Sequence, residues 1–565
     1  WSALNPDAVQ DITLRSGASR SEDGSRLSGT VDVRTSLLGG DSVQARGAVT
    51  PGDVRQLVRG ELLEGRGNFL LSGRRSVRNF FGDETALGEQ NGYDDWLGEL
   101  AFKVGRGRLR ILLYSSANQL AFESRPDAAP AEPIASPSPN SLEWGSRTGG
   151  ITWEGRVGDQ ALGVTAWRAA MNTSVQWFDP SRPLGVANQF VELGVRGKTT
   201  WSLGEGDLTA GFSIRQLHSG YDAHALNFSS SQPPPPELEL SSDPIVIAGS
   251  LQRRWRWSDA VSLEAGLRGT WASFGWIGSE PWLALRVQPW RGLTLTAQAG
   301  RGYQFTQSWI NEESFLTTVA GLELPVAAGA PGVPVARSDN LTARLELNPG
   351  SGWTLGLEGY ARDLANLALA SPTTPQTFTA VEPGIGRGSA AGLIARSSLA
   401  RGPVELAASV GLTRASRTVG AVGYTPAFER TGFLHAAALL HLDPTTALGL
   451  AVTAGSGQST TPLTAFDWQP YNPWNGNGEL SGTPANLGSI DSYRLPGLRR
   501  LDLGVQREWR LRQWPSGHGI VTSLTVENLL NYPNAIGVLQ PQPGLRTELL
   551  SAGSRIFRLE LGWAF

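Results

Sequence analysis

The last nine residues, FRLELGWAF (557–565), alternate strictly between two faces. One face is entirely apolar and consists of Phe557, Leu559, Leu561, Trp563 and Phe565. The other face is polar or small and consists of Arg558, Glu560, Gly562 and Ala564. A period of two indicates a β-strand whose faces meet different environments. This pattern fits a soluble sandwich with its polar face outside, and equally a membrane barrel whose apolar face meets lipid.

The same alternation recurs at 293–300 and 501–506, whereas helical periodicity is rare. The chain has no apolar run of about 18 residues, which excludes a helical membrane protein. Its 565 residues include 69 Gly and 20 Trp, its charged fraction is 18%, and its mean hydropathy is −0.18. A closed transmembrane β-barrel fits these values, because alternating strands average to near-neutral hydropathy.

Several function classes are disfavoured by composition. The net charge of −3 gives no basic field for nucleic acid, and the absence of Cys excludes disulfides and thiol chemistry. The five histidines are His218, His224, His435, His441 and His518. None has the spacing of a metal site, and no nucleophile motif has a usable partner. We therefore expect no catalytic residue, no metal, no cofactor and no enzymatic activity.

The positions of the breaks between alternating segments distinguish the membrane barrel from the soluble sandwich. Short turns are predicted at 65–67, 105–107, 157–160, 204–207, 258–259, 290–292, 348–352, 401–403, 443–445 and 512–517. Long irregular stretches lie mostly between them, at 123–146, 223–242, 307–336, 369–388, 417–430, 457–498 and 530–552. Short turns at one end and long loops at the other are typical of an outer-membrane barrel. Assigning strands around these breaks predicts 22 antiparallel strands from about residue 41 to Phe565, with both barrel ends on the periplasmic side.

Tryptophan placement favours the same fold. Seven tryptophans lie beside the predicted short turns: Trp201, Trp255, Trp257, Trp290, Trp353, Trp509 and Trp514. Trp276 and Trp282 flank a break assigned to the opposite end. We interpret these residues as aromatic girdles at the two membrane interfaces, because soluble cores do not place indoles preferentially at turns.

Motifs near the N-terminus resemble part of a known domain. Residues 5–17 read NPDAVQDITLRSG, and residues 24–35 read GSRLSGTVDVRT. Both stretches resemble the end of the plug domain of TonB-dependent outer-membrane receptors.

Further motifs continue the resemblance along the chain. LSGRRS (71–76) with YDD (93–95), SYRLPGLRRLDL (492–503) and VENLLN (526–531) resemble the large Bacteroidetes-type branch of this family. Phe565 matches the assembly signal at the end of such barrels. The chain departs from the branch pattern at Asp491 or Ser492, where Asn is usual, and at Leu498, where an aromatic residue is usual.

The resemblance implies a domain organisation and a location. Residues 1–38 would be the C-terminal part of the plug, lying inside or beneath the barrel on the periplasmic side. Residues 39–565 would be the barrel with long extracellular loops. Because a family plug is much longer than 38 residues, we expect this chain to be part of a longer protein, with the TonB box upstream. The location would be the outer membrane of a Gram-negative-type bacterium.

The resemblance also implies active uptake of a scarce nutrient, such as a siderophore, oligosaccharide or peptide. The expected partners are the inner-membrane TonB complex, outer-membrane lipid and lipopolysaccharide, the nutrient, and a surface lipoprotein or other envelope subunits. Two alternatives stay open. One is a non-transporting barrel that serves as a structural or docking component. The other is a passive porin, which would have an inward-folded loop and no plug motif; the plug-like residues 4–35 argue against it.

The longest loop, 457–498, is the candidate ligand site. It contains Trp468, Tyr471, Asn472, Trp474 and Asn475, in which aromatic faces alternate with amide side chains. Such residues can stack on a ring while hydrogen-bonding its polar edge. The same aromatics could instead pack the loop upon itself.

A second, basic cluster lies near the first long loop. Arg74, Arg75 and Arg78 could attract an anionic ligand or lipopolysaccharide phosphates. Alternatively, they face the lumen and pair with acidic plug residues.

Overall fold

The computed structural model describes most of the chain. The described residues are 4–17, 20, 24–37, 43–77, 92–122, 140–177, 184–225, 238–309, 324–369, 383–460, 463–465, 486–487, 493–510, 518–539 and 548–565. In these ranges no helix has the length and apolar character needed to cross a bilayer. A short 3-10 turn at Pro6–Ala8 opens the chain, and Asn5 caps it by accepting a hydrogen bond from Asp7 N (3.1 Å).

The first two strands form a separate antiparallel pair, β1 (Val9–Ser16) and β2 (Gly29–Thr35). Their register places Leu14 opposite Val31 and Ile12 opposite Val33. The plug-like residues 24–35 therefore contribute one strand to a small two-stranded sheet.

All other long strands belong to one antiparallel sheet. Its first half consists of β3 (Gln44–Val49), β4 (Asp53–Leu62), β5 (Gly67–Ser76), β6 (Gly92–Val104), β7 (Gly107–Phe122), β8 (Asn140–Val157), β9 (Gln160–Trp177), β10 (Leu184–Ser202), β11 (Gly206–Ala225), β12 (Leu238–Ser242), β13 (Ile245–Arg256), β14 (Val261–Ala272), β15 (Trp276–Trp290) and β16 (Leu293–Gln304). A short pair follows, β17 (Thr306–Ser308) with β18 (Pro325–Ala327).

The second half of the chain completes the sheet. Its strands are β19 (Ala336–Gly350), β20 (Trp353–Leu369), β21 (Gly384–Arg401), β22 (Val404–Val419), β23 (Val422–Tyr424), β24 (Gly432–Asp443), β25 (Thr446–Gly455), β30 (Leu498–Trp509), β31 (Gly519–Glu527) and β34 (Ile556–Ala564). Short pairs outside the sheet are β26 (Ser459–Thr460) with β29 (Tyr493–Arg494), β27 (Leu463–Ala465) with β28 (Asn486–Leu487), and β32 (Asn534–Leu539) with β33 (Glu548–Ala552).

The sheet closes on itself because β3 pairs with both β4 and β34. Of the 24 strands that the described residues contribute to it, β12 and β13 both pair with β11, and β23 and β24 both pair with β22. The segments β12 and β13 together count as one strand of the barrel, and so do β23 and β24, which gives 24 − 2 = 22 barrel strands. The predicted 22-stranded antiparallel barrel is confirmed.

The two ends of the barrel differ. At one end, called here the turn end, strands are joined by tight turns such as Gly105-Arg106, where Gly105 takes a φ of 60°. Both barrel termini lie there, since Ala45 N donates to Phe565 O (2.8 Å). The opposite end, called the loop end, carries the longer connections. The expectation of a long loop over 417–430 is wrong in part, because β22 continues to Val419 and β23 begins at Val422. The predicted turn at 512–517 lies outside the described residues.

The outer face of the barrel is apolar. Leu559 and Leu561 are 60% and 51% exposed, whereas Glu560, on the other face of the same strand, accepts from Arg55 Nη2 (2.6 Å) inside the barrel. The predicted register of the last strand is therefore confirmed. A closed sheet with an apolar outer band satisfies its backbone internally and buries that band in lipid. The chain is therefore an outer-membrane barrel.

The predicted aromatic girdle is present at the turn end, but one of the two tryptophans assigned to the opposite end faces the lumen. Trp257 and Trp290 are 62% and 59% exposed there. Trp282, expected at the opposite interface, is 4% exposed and faces the lumen. It shares its face of β15 with Glu280, while Leu283 points to lipid. Neighbouring residues of a strand point to opposite faces of the sheet. The distance of a tryptophan from a break therefore does not determine whether it faces lipid or lumen.

Candidate functional site in the barrel lumen

The N-terminal segment (residues 4–37) crosses the lumen. On one side, Asn5 Nδ2 donates to Ser72 Oγ (2.9 Å) on β5. On another side, Arg215 Nη2 of β11 donates to Ser25 Oγ (2.8 Å), and Ser338 Oγ of β19 donates to Leu27 O (2.6 Å). Because these strands lie in different parts of a closed sheet, a segment that touches all of them must run inside it. Ser338 is near the loop end, so the segment is not confined to the periplasmic side as expected.

Three buried glutamates of the barrel wall hold this segment. Glu99, Glu280 and Glu358 are 1%, 3% and 3% exposed and lie on β6, β15 and β20. Thr35 Oγ1 donates to Glu99, Ser25 N donates to Glu280 Oε2 (3.1 Å), and Ser16 Oγ donates to Glu358 Oε1 (3.0 Å). All three donors from the segment are uncharged.

Each of these glutamates also faces an arginine of the barrel itself. Arg110 pairs with Glu99, Arg268 Nε lies 3.6 Å from Glu280 Oε1, and Arg344 Nη2 donates to Glu358 Oε2 (2.7 Å). The wall therefore balances its own buried charges, and the N-terminal segment adds neutral hydrogen bonds to them. Its one ion pair with the wall in the described residues joins Asp7 Oδ2 to Arg55 Nε (2.9 Å).

The β1–β2 pair presents an uncovered apolar surface inside the barrel. Ile12, Leu14 and Val31 are 61%, 65% and 61% exposed, and neither outer edge of the pair has a strand partner in the described part of the chain. Two-stranded sheets are marginal alone, and exposed edges favour addition of another strand. This surface is suited to cover by further polypeptide.

A second segment, residues 324–335, folds into the loop end of the lumen. Asn188 Nδ2 of β10 donates to Pro325 O (3.1 Å), and Ser242 Oγ of β12 donates to Ala328 O (3.0 Å). Its apolar side chains pack against the inner faces of β7 to β12. The shared cluster is Leu120, Leu142, Val175, Val186, Tyr221, Ala223, Leu238, Leu240, Trp309, Leu324, Val326, Ala330, Val333 and Ala368. This apolar cap covers one side of the mouth.

The opposite wall of the lumen carries an open cavity of about 570 Å³. Arg344 and Arg396 border it and share Glu358, with Arg396 Nη1 donating to Glu358 Oε2 (3.2 Å). Cross-strand register then aligns Arg396 with Ser409, His435 and Thr453. This wall offers hydrogen-bonding side chains to a solute in the lumen.

The predicted ligand residues Trp468, Tyr471, Asn472, Trp474 and Asn475 lie outside the described residues. The structure describes the base of their loop, where Arg494 Nη2 donates to Glu429 Oε2 (2.7 Å) and Leu495 N donates to Gln458 O (2.9 Å). Burial lowers the pKa of the neighbouring Arg430 guanidinium, whose Nη1 donates to Ser456 O (2.8 Å). The loop therefore begins and ends on a bonded base at the barrel mouth.

The basic cluster near the first loop divides between two faces. Arg74 faces the lumen and donates from Nε to Asp95 Oδ2 (2.7 Å), a barrel residue rather than a plug residue. Arg75 is exposed on the outer face, and Arg78 lies outside the described residues. Alternation along β5 separates Arg74 from Arg75, so they do not form one anion site.

Metal-ligating residues are not brought together in the described ranges, where no group of three or more His, Asp or Glu could hold an ion. The three wall glutamates were not identified from the sequence. Alternation places them on polar faces, but no local motif indicates which distant arginine or serine they meet.

Comparison with known proteins supports the fold. No protein-family model and no curated protein matches the sequence. Among solved structures, the ferric yersiniabactin uptake receptor FyuA from Yersinia pestis is similar with a TM-score of 0.70 at 12% identity, covering 99% of this chain and 85% of that chain.

Two further structures show comparable similarity. BauA, the ferric preacinetobactin receptor from Acinetobacter baumannii, has a TM-score of 0.67 at 13% identity, covering 99% of this chain and 86% of that chain. The ferric enterobactin receptor PfeA from Pseudomonas aeruginosa has a TM-score of 0.65 at 13% identity, covering 100% and 86%. At this identity the similarity establishes the barrel fold.

Proposed function

We propose that the protein is a TonB-dependent outer-membrane receptor that takes up a scarce nutrient actively, without making or breaking a covalent bond. The observation that carries this proposal is the N-terminal segment that crosses the lumen and bonds to walls on different sides. A wide barrel with an internal obstruction needs a means of moving that obstruction, which energised transport supplies. The solved structures of similar fold, which are receptors for ferric yersiniabactin, ferric preacinetobactin and ferric enterobactin, support the same role.

The N-terminal segment acts in this proposal as the last part of a plug, residues 1–38. Its motifs at 5–17 and 24–35 support that role, as does the uncovered apolar surface of β1–β2, which further plug strands would cover. The motifs at 492–503 and 526–531 support the large Bacteroidetes-type branch. The inner-membrane TonB complex would act on a segment upstream of Trp1.

Transport would proceed in three stages. Extracellular loops capture the nutrient at the loop end, beside the apolar cap of 324–335. The plug then shifts, and the solute passes along the wall that carries Arg396, Ser409 and His435. Neutral hydrogen bonds at Glu99, Glu280 and Glu358 reform when the plug returns.

A passive porin is the second candidate, because the inward-folded segment 324–335 is the feature expected of one. Uptake in cells that lack other receptors distinguishes the two. The full-length gene would be expressed and supplied with a panel of labelled ferric siderophores and oligosaccharides, with and without a protonophore. We expect one ligand to be accumulated, and accumulation to stop with the protonophore or without TonB.

Other outcomes would reject the proposal. Uptake that continues without the proton gradient would indicate a porin. If no ligand of the panel is accumulated although the barrel is assembled, the structural or docking role is favoured, with envelope subunits or a surface lipoprotein as partners.

The ligand-loop prediction tests the binding site of the proposed receptor. Substituting Trp468→Ala and Trp474→Ala is expected to weaken binding by about 1–3 kcal/mol for each residue that stacks on the ligand, with Tyr471, Asn472 and Asn475 completing the site. Titration of the accumulated ligand against purified variants measures this loss. Trp290→Ala at the turn end is the matched control and should leave affinity unchanged. Equal affinity of the double variant and the parent would remove this loop from the site.

A further inference from the structure

A boundary between apolar and polar side chains crosses the outer face of four neighbouring strands, β16, β19, β20 and β21, and the groove along it extends over six strands, from β15 to β22. Register aligns one apolar row, which consists of Leu283, Ala299, Leu341, Ala361 and Ala391. The next row toward the loop end begins at Arg301 and continues through Asp339, Asp363, Ser389 and Ser416. This change marks the level at which the hydrocarbon of the outer leaflet meets its headgroups.

The two rows line a groove of about 1030 Å³ on the outer face. Its floor is low because three residues of the apolar row, Ala299, Ala361 and Ala391, have small side chains. Ala299 lies between Leu283 and Leu341, and the other two lie between Leu341 and Arg414. A groove at this depth is filled by hydrocarbon rather than by water, since its floor is apolar.

A polar cluster closes one end of the groove. Ser389 and Ser416 face each other across β21 and β22, with their hydroxyl oxygens 2.8 Å apart. Arg387 lies two residues from Ser389 toward the loop end, and Arg414 lies two residues from Ser416 toward the turn end. Both arginines therefore flank the hydroxyl pair on the same outer face, at distances that their long side chains can span.

Among the described residues, no acidic side chain neutralises these arginines. Neither Arg387 nor Arg414 makes an ion pair or hydrogen bond within the described residues, in contrast to Arg301, which donates from Nε to Asp339 Oδ1 (2.7 Å). Arg414 continues the apolar row opposite Ala391, and it is the next residue on the same face after the lipid-facing Leu412, which is 66% exposed. An unpaired arginine on a lipid face is costly unless an anion meets it.

We propose that Arg387, Ser389, Arg414 and Ser416 bind a phosphate of lipid A in the outer leaflet, with its acyl chains in the adjacent groove. Arginine and hydroxyl donors match phosphate oxygens. Asp363 lies opposite Ser389, so the cluster retains one net positive charge. The six strands span about 24 Å, which suits a lipid with several acyl chains better than a two-chain phospholipid.

Lipid A that co-purifies with the protein tests this site. The double variant Arg387→Gln/Arg414→Gln should carry roughly tenfold less lipid A per barrel than the parent, measured by mass spectrometry of extracted lipid. Arg168→Gln is the matched control: Arg168 is exposed on the outer face of β9 and has no paired serines beside it. Ala391→Phe keeps both arginines but fills the groove, and should also reduce bound lipid A.

Adding lipids back to delipidated protein separates the sources of phosphate. Lipid A should bind, whereas dephosphorylated lipid A and phosphatidylglycerol should bind at least several-fold more weakly. Equal lipid A content in the parent and the double variant would overturn the proposal, as would equal binding of either comparison lipid. Each variant is checked for heat-modifiable mobility, so that a folding defect is recognised. Nutrient uptake is scored separately, so failure here leaves the proposed transport function untouched.

Discussion

Replacing Glu280 by Ala is expected to lower the free energy of unfolding by about 3–5 kcal/mol. The Glu280 carboxylate faces Arg268 at 3.6 Å, and the two side chains are each 4% exposed. Removing the Glu280 carboxylate leaves the buried Arg268 guanidinium without this partner. It also removes the acceptor for Ser25 N and Thr270 Oγ1. Equilibrium unfolding of the barrel in urea, followed by tryptophan fluorescence, measures the loss.

Glu346→Ala is the matched control for this variant. Glu346 lies 4.0 Å from Arg344 Nη1, but its side chain is 48% exposed, so its removal should cost no more than about 1 kcal/mol. Glu280→Gln keeps an acceptor oxygen, so its loss in free energy of unfolding should lie between those of Glu280→Ala and Glu346→Ala. Losses of the same size for Glu280→Ala and Glu346→Ala would contradict this prediction, because they would show that burial of an ion pair does not determine how much it stabilises the barrel.

The Ala408→Arg substitution is expected to destabilise the barrel by about 2–4 kcal/mol, because Ala408 lies in the middle of the lipid-facing band. On the same face, Val410 and Leu412 are 50% and 66% exposed. The next residue toward the N-terminus, Ala407, faces the lumen cavity. Ala407→Arg should therefore cost only about 0.5 kcal/mol, as for a water-exposed site.

Both variants replace Ala by Arg, at neighbouring positions that lie on opposite faces of the barrel wall. Folding into lipid vesicles under increasing urea compares them directly. A larger loss for Ala407→Arg than for Ala408→Arg would reverse the assignment of the two faces of β22.

The barrel could be predicted because its determinants are local. Alternation in 557–565 specifies a strand with a lipid face, and tight turns such as Gly105-Arg106 fix where strands reverse. Both signals act within a few residues of sequence. The strand number followed from counting such signals along the chain.

The contacts inside the lumen could not be predicted in the same way. Ser16 meets Glu358, 342 positions away, and Ser25 meets Glu280, 255 positions away. Their proximity depends on closure of the whole sheet and on the path of the N-terminal segment through it. Trp282 was misplaced for a related reason, since its face depends on strand parity rather than on its distance from a break.

The pairing of each wall glutamate with an arginine has a mechanical consequence. A segment held by ion pairs would resist pulling until several charges separated into a low-dielectric space together. Here, pulling on the N-terminal segment ruptures one ion pair, between Asp7 and Arg55, and a series of single hydrogen bonds. Those to Glu99, Glu280 and Glu358 are worth about 1.5–3 kcal/mol each, and they can break one after another. The barrel wall stays charge-balanced throughout, so a modest sustained force could peel the segment away without deforming the cylinder that holds it.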